Sequence, residues 1–424
     1  MSANLPDSPS LRQLKIQAKE VLRRVRAQDA ETLAHVKRWH YKDLAPNTIG
    51  LQDAQLVLAR SYGFSTWEKL LAATSSDDPR NKLARAIDAG QVETVRQILA
   101  ADPDLVHRDA VTWKRGTMKP LPYAVADNAG GPGQVEIARL LLDAGADPQA
   151  NNHFPLIKSL AGPCADLFLE LGADVNVKIG DWGPLISFPA EDHNVEGLRW
   201  LLANGADPDL VYPNTKCKGT ALEVVLLTYS RSDRMHACVE ILAENGAQHS
   251  DGPEIDIHRG RLDLLQARLQ QDPQIPSRHS EFMAHREDYG GAFGGAPLQA
   301  PTLLHICAEY NEVEAARLLL QHGSAINARA AHPDSNQTPI YHAVCSNFNW
   351  CFPMLEFLVK QGADLAVRST LRVANKVLKD VTPLGYALNY PNDINGGPGS
   401  GKRRKNTDPH ENVIDLLKSH GAPE

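Results

Sequence analysis

Apolar positions in the stretch TLLHICAEYNEVEAARLLLQHGSAIN, residues 302–327, fall at helical spacing in two successive runs. The first run predicts a helix over about Leu303–Tyr310 and the second a helix over about Val313–Gln321. Asn311 breaks the chain between them, and Gly323 stands where a helix C-terminus favours positive φ. Leu304, Ile306 and Cys307 can face Val313, Ala316, Leu318 and Leu319, while the small Ala308, Ala315 and Ala316 permit close approach. Two helices this short cannot bury both of their faces unaided. They need copies of themselves on either side.

Those copies are present. Glycines with the same context recur at Gly145-Ala-Asp147, Gly172-Ala-Asp174, Gly205-Ala-Asp207, Gly246-Ala247, Gly362-Ala-Asp364 and Gly421-Ala422. Helix openings recur upstream at Lys119-Pro120-Leu121, Gly183-Pro184-Leu185, Gly219-Thr220-Ala221-Leu222, Thr338-Pro339-Ile340 and Thr382-Pro383-Leu384. The pattern resembles the ankyrin repeat family, whose repeat is about 33 residues long with a Thr-Pro-Leu-His opening. The resemblance covers roughly residues 80–424 and implies an all-α solenoid of about nine helix-turn-helix units joined by hairpin loops. It also implies that His305 and Thr302 hydrogen-bond the turn at the start of their helix. Function does not follow from architecture alone.

Ahead of the array the periodicity changes character. Residues 1–9 carry two prolines and little apolar content, and read as a disordered tail. From Ser10 a strongly helical run places Leu11, Leu14, Ala18, Val21, Leu22 and Val25 on one stripe. The other face carries Arg12, Lys15, Lys19, Arg23, Arg24 and Arg26. Further helices are expected from about Asp29 to His40 and from about Gln52 to Tyr62, ending at Gly63. Ser65-Thr-Trp-Glu68 reads as a capping box for a fourth. Residues 10–75 therefore form a separate helical module, followed by a polar linker at 75–79. Asp53-Ala-Gln-Leu-Val-Leu-Ala59, Tyr62-Gly63-Phe64 and Trp67 resemble the N-terminal extension of a group of bacterial ankyrin-repeat proteins, which implies a bacterial source.

Within the array several departures from the repeat stand out. Gly90 with Asp102-Pro103, and Gly260 with Asp272-Pro273, mark two matching helix pairs, which suggests sub-arrays at 80–252 and 253–424. The unit at 154–179 is clipped, so one of its helices should be short. Residues 279–299 are an insertion too Gly-rich for a helix, a few extra residues surround Phe348-Asn-Trp350, and a long insertion runs from Pro391 to Thr407.

Composition changes this picture little. The chain is 42% hydrophobic and 22% charged with net charge −7, so bulk electrostatics do not favour a polyanion partner. No apolar run approaches the 18 or so residues of a membrane span, and the N-terminus lacks a signal-peptide core. A cytoplasmic location is expected. Six scattered cysteines, with no Cys-x-x-Cys, suit buried thiols in a reducing compartment.

Candidate chemistry is sparse. Gly396–Lys402, GGPGSGK, has the glycines and lysine of a phosphate loop, but Arg403 replaces the magnesium-binding hydroxyl and no strand or helix flanks it. No histidine or cysteine spacing gathers three metal ligands, and no nucleophile elbow is present. The reading therefore expects no enzyme activity, no cofactor and no metal. What remains is the concave surface implied by the family resemblance. Trp113, Lys114 and Arg115, then Trp182, Tyr212, and His332 with Asp334 fall on hairpins, and Glu309 and Tyr310 on variable positions of a first helix. Exposed Trp, Tyr and Arg are the types that dominate interface energy. The sequence thus points to a monomeric scaffold or adaptor that binds another protein through that face, without membrane or nucleic acid. The alternative is a nucleic-acid or anionic-surface adaptor using the basic N-terminal helices, with Lys37 and Arg38 extending the face. A third reading places an enzyme site in one of the insertions, 279–299 or 391–407.

Overall fold

The computed structural model describes residues 11–40, 44–74, 78–112, 116–127, 133–160, 162–228, 231–286, 288–290, 297–332, 335–346, 349–373, 376–389 and 408–424. The expected tail at 1–9 and the whole 391–407 insertion, with its Gly-rich 396–402 segment, lie outside these. The chain divides into two compact units, residues 1–180 and 181–424. The boundary follows the clipped repeat rather than residue 252.

The first unit opens with α1 (Leu11–Arg26), α2 (Ala30–Trp39), α3 (Leu51–Ser61) and α4 (Trp67–Thr74). The apolar stripe of α1 has two destinations. Leu14 and Ala18 join Leu58, Ala59, Tyr62, Phe64, Trp67 and Leu70 in one core, while Val25 joins Val36, Ile49 and Val57 in another. Asp29 caps α2 by accepting from the Thr32 N–H at 2.8 Å. The cap of α4 is Thr66 rather than Ser65: its Oγ1 accepts from the Lys69 N–H at 3.3 Å. A helix that begins at Trp67 puts Thr66, one residue later, in the capping position.

Helix pairs follow: α5 (Pro79–Asp88) with α6 (Val92–Ala101), α7 (Pro120–Asp127) with α8 (Gln134–Asp143), and α9 (Ala150–Ser159) with α10 (Ala165–Glu170). The short hairpin β1 (Ala110–Thr112) and β2 (Gly116–Met118) joins the first two pairs, and β3 (Lys178–Ile179) closes the unit. The clipped repeat shows the expected short helix. Its second helix has six residues, and Asn151, Asn152 and His153 at the start of α9 all take left-handed φ near +55°. The first helices α5, α7 and α9 pack in succession and α6 packs on α8, so neighbouring pairs bury one another.

The second unit repeats the scheme. It begins with β4 (Gly183–Pro184) and the pairs α11 (Ser187–Glu191) with α12 (Val195–Ala203), α13 (Ala221–Leu227) with α14 (Met235–Glu244), and α15 (Pro253–His258) with α16 (Leu262–Gln271). Next come α17 (Leu303–Tyr310) with α18 (Val313–Gln321) and α19 (Ile340–Val344) with α20 (Phe352–Lys360). A longer antiparallel hairpin, β5 (Ser369–Val373) and β6 (Lys376–Val381), precedes α21 (Pro383–Asn389) and α22 (Asp408–Ser419). Asn311 turns the chain between α17 and α18 at φ +60°, and Gly323 ends α18 at φ +91°. Both expected helix ranges in this pair match the observed ones.

The two Asp-Pro endings are also alike in three dimensions. Each follows a second helix, is succeeded by a short 3-10 turn, and is tied by an arginine six residues on. Arg108 reaches Asp102 at 3.2 Å and Arg278 reaches Asp272 at 2.7 Å.

Candidate interaction face

In residues 181–424 the first helices lie in order, and their inner side is the surface where exposed variable residues are expected. His305 begins α17 as the family resemblance implies. Its Nδ1 accepts from the Thr302 N–H at 3.1 Å, and its Nε2–H donates to the Gln337 carbonyl of the following unit at 3.0 Å. Burial, with His342 nearby, drives its pKa down to about 3, so both bonds use the neutral ring.

The insertion does not leave that inner side open. At its base the Ser280 N–H donates to the Pro301 carbonyl and the Leu298 N–H to the Tyr289 carbonyl, both at 2.7 Å. Glu223 on α13 receives Arg286 at 3.2 Å and His285 at 2.6 Å. Glu254 on α15 receives the Ser280 hydroxyl at 2.5 Å. Tyr289 is fully buried, its hydroxyl 2.8 Å from His258 Nε2, with ring centroids 6.0 Å from Tyr310 and 5.7 Å from Phe282. The described part of 279–299 is thus a strap laid across α13, α15 and α17. Aromatic burial of this kind contributes area plus about 0.5–1.5 kcal/mol per ring pair.

Beneath the strap lies an ionisable network that no motif announced. The Arg231 guanidinium stacks over Tyr310 at 4.1 Å, donates to the Leu226 carbonyl at 2.8 Å and approaches Glu309 at 3.4 Å. Tyr310 donates its hydroxyl to that same carbonyl at 2.8 Å. The second Glu309 oxygen accepts from His342 Nδ1 at 3.0 Å. Burial alone would lower the Arg231 pKa, but Tyr310 and Glu309 outweigh it and the net shift is upward, so the cation persists. Burial raises Tyr310 to about 12. It lowers His258 to about 3, with the Arg231 charge acting in the same direction. These groups hold one another in packed surroundings, with Arg231 and Glu309 side chains only 7% and 14% exposed.

Against this frame the expected contact residues separate. Trp113, Lys114, Arg115 and Asp334 lie outside the described residues. Glu309 and Tyr310 are not exposed on the inner side, because Arg231 and the strap cover them; Tyr310 is 3% exposed. Trp182 is half-buried and packs on Phe188 at 5.9 Å, while its carbonyl accepts from the Cys217 N–H at 2.8 Å. Tyr212 and His332 remain half-exposed on their hairpins, the first shaped by Asn214 at φ +58° and the second bridged to Ser335. In the N-terminal module, Glu20 binds Arg23 at 2.6 Å and Arg24 at 3.1 Å, which cuts into the basic face. Those two bonds hold the Glu20 carboxyl down at about 2.

Among the described residues no group of three or more His, Cys, Asp or Glu is arranged to hold a metal ion, and no helix is long and apolar enough to cross a membrane. The model for ankyrin repeats in three copies matches residues 289–369. Among solved structures the chain is similar to the human ASB11 ankyrin repeat domain, at 20% identity over 64% of this chain and 99% of that one, with a TM-score of 0.31. No curated protein matches it.

Proposed function

We propose that this chain, which carries ankyrin repeats at residues 289–369, is a non-catalytic adaptor that binds another protein through the hairpin edge of residues 181–424. Ankyrin repeats generally mediate protein–protein interaction. The observation that carries the finer reading is the strap. It fills the inner side of α13, α15 and α17 with the chain's own Tyr289 and Arg286, which moves the contact surface to the hairpins, where Tyr212 and His332 are half-exposed. Six buried, unpaired cysteines support a reducing, cytoplasmic setting. The proposal also takes the helices at 11–74 as an N-terminal extension of the bacterial type and the chain as a monomer.

A photo-cross-linking residue placed in the full chain at Tyr212 or His332, and as a control at Arg317 on a second helix, tests the assignment in source cells. Cross-links to another protein at the first two positions and none at the control are expected. Equal yields at all three, or none at any, would overturn it.

A further inference from the structure

We propose that the outer edge of β6 is a docking site for an extended acidic segment of a partner protein, which adds to the β5–β6 hairpin as a third strand; this deepens the protein-interaction reading and rests on it. The hairpin is firmly based. The Tyr341 hydroxyl lies between the carbonyls where the hairpin enters and leaves, 2.7 Å from Val367 and 2.6 Å from Val381, its one proton shared between them. One edge is already engaged: the Asn336 N–H donates to the Thr370 carbonyl at 3.2 Å, and the Thr370 N–H donates back to Asn336 Oδ1 at 2.9 Å. The sheet has two strands, and among the described residues no third strand pairs with β6. Its outward backbone groups offer a template for strand addition.

Register decides what that edge displays. Arg372 pairs with Val377, so both point to one side, and Lys379 lies two residues along the same face. Leu371 and Leu378 pair on the opposite face, where Leu371 is fully buried. That face therefore carries Val377 and Lys379 on β6 itself, with Val377 49% exposed, and Arg372 beside Val377 on β5. Arg368 is engaged by Asp380 at 3.3 Å, whereas Arg372 and Lys379 are exposed and pair with no described residue. Residues 368–380 hold four cations against one carboxylate, a net +3, in a chain of net −7, which leaves −10 for the rest. A second copy of this hairpin would set like charges opposite one another and is disfavoured, whereas a strand alternating acidic and apolar residues is matched.

The test measures fluorescence anisotropy of the full chain with a labelled alternating valine–glutamate peptide of about ten residues. Binding that weakens with salt, and that falls by about tenfold or more in the Arg372→Glu, Lys379→Glu double variant, is expected. Circular dichroism should show that variant folded, since both side chains are exposed. The same peptide with two internal prolines keeps its charge but cannot pair along an edge, and should bind far less. Equal binding by the double variant or by the proline peptide would overturn strand addition, as would equal binding of a thymidine dodecamer. If the peptide fails while Tyr212 still cross-links to another protein, the docking edge alone is wrong. If both fail, the interaction reading falls with it.

Discussion

Arg231 shows how much a single residue can decide once it is buried. Its guanidinium faces Glu309 and Tyr310, and Glu309 in turn holds His342. Removing one partner of a buried ion pair leaves the other charge uncompensated. Arg231→Ala should therefore cost about 3–5 kcal/mol in urea unfolding, and replacing both Arg231 and Glu309 by methionine should cost clearly less. Additive losses in that double-mutant cycle would mean the pair is not coupled. The histidines give a prediction of definite sign. His258 and His305 titrate near 3 in the fold but near 6.5 in the unfolded chain, so between those values the unfolded state binds more protons. Their stabilisation is complete above about pH 6.5 and is lost as pH falls toward 3, at up to about 1.4 kcal/mol per pH unit each. His236 runs the other way: Glu312 raises it, so its contribution is full below about 6.5 and fades as pH rises through the folded value. Urea midpoints measured from pH 7 to 4 should fall less steeply for His258→Leu than for the wild type. None of these partners was legible in the sequence. Arg231 and Glu309 stand 78 residues apart, and Arg231 carries no motif of its own.

The strap is the element on which the inner face depends. Its described residues form no helix, and its docking rests on contacts with residues tens of positions away. Gly290 shows why a glycine is needed: it has φ +76°, and an added Cβ would lie 2.6 Å from Leu298 Cγ. Gly290→Ala should destabilise by more than about 1 kcal/mol. Tyr289→Ala should release the strap, seen as faster tryptic cleavage at Arg286, while Tyr289→Phe, which loses only the hydrogen bond to His258, should cost about 1 kcal/mol. Unchanged cleavage in Tyr289→Ala would show that the Glu223 and Glu254 contacts hold the strap without its aromatic anchor. Elements whose burial is local behaved as their patterns indicated. The ends of α17 and α18 follow from Asn311 and Gly323, whose backbone φ is positive in the fold.

At the scale of the molecule, stability is a sum over neighbouring pairs rather than the property of one core. A peptide holding only residues 302–327 should therefore be unfolded by circular dichroism, because an isolated short helix pair exposes both faces. Residues 181–424 expressed alone should retain helix and unfold cooperatively in urea. A stably helical 302–327 peptide would contradict the stacking account. The N-terminal module was legible from its amphipathic stripes, and its split into two apolar cores was not, since that depends on how α1 crosses α3 and α2.

By itself the sequence determined the repeated helix pairs, their turns and the amphipathic helices ahead of them. Those features follow from spacing and backbone chemistry within a few residues. The tertiary structure alone decided which side chains reach solvent. It buried Tyr310 and Glu309 under Arg231 and the strap, and it turned Arg372, Val377 and Lys379 to one face of the β5–β6 hairpin. The physical reason is that burial and charge pairing are set by groups far apart in the chain, which local periodicity cannot see.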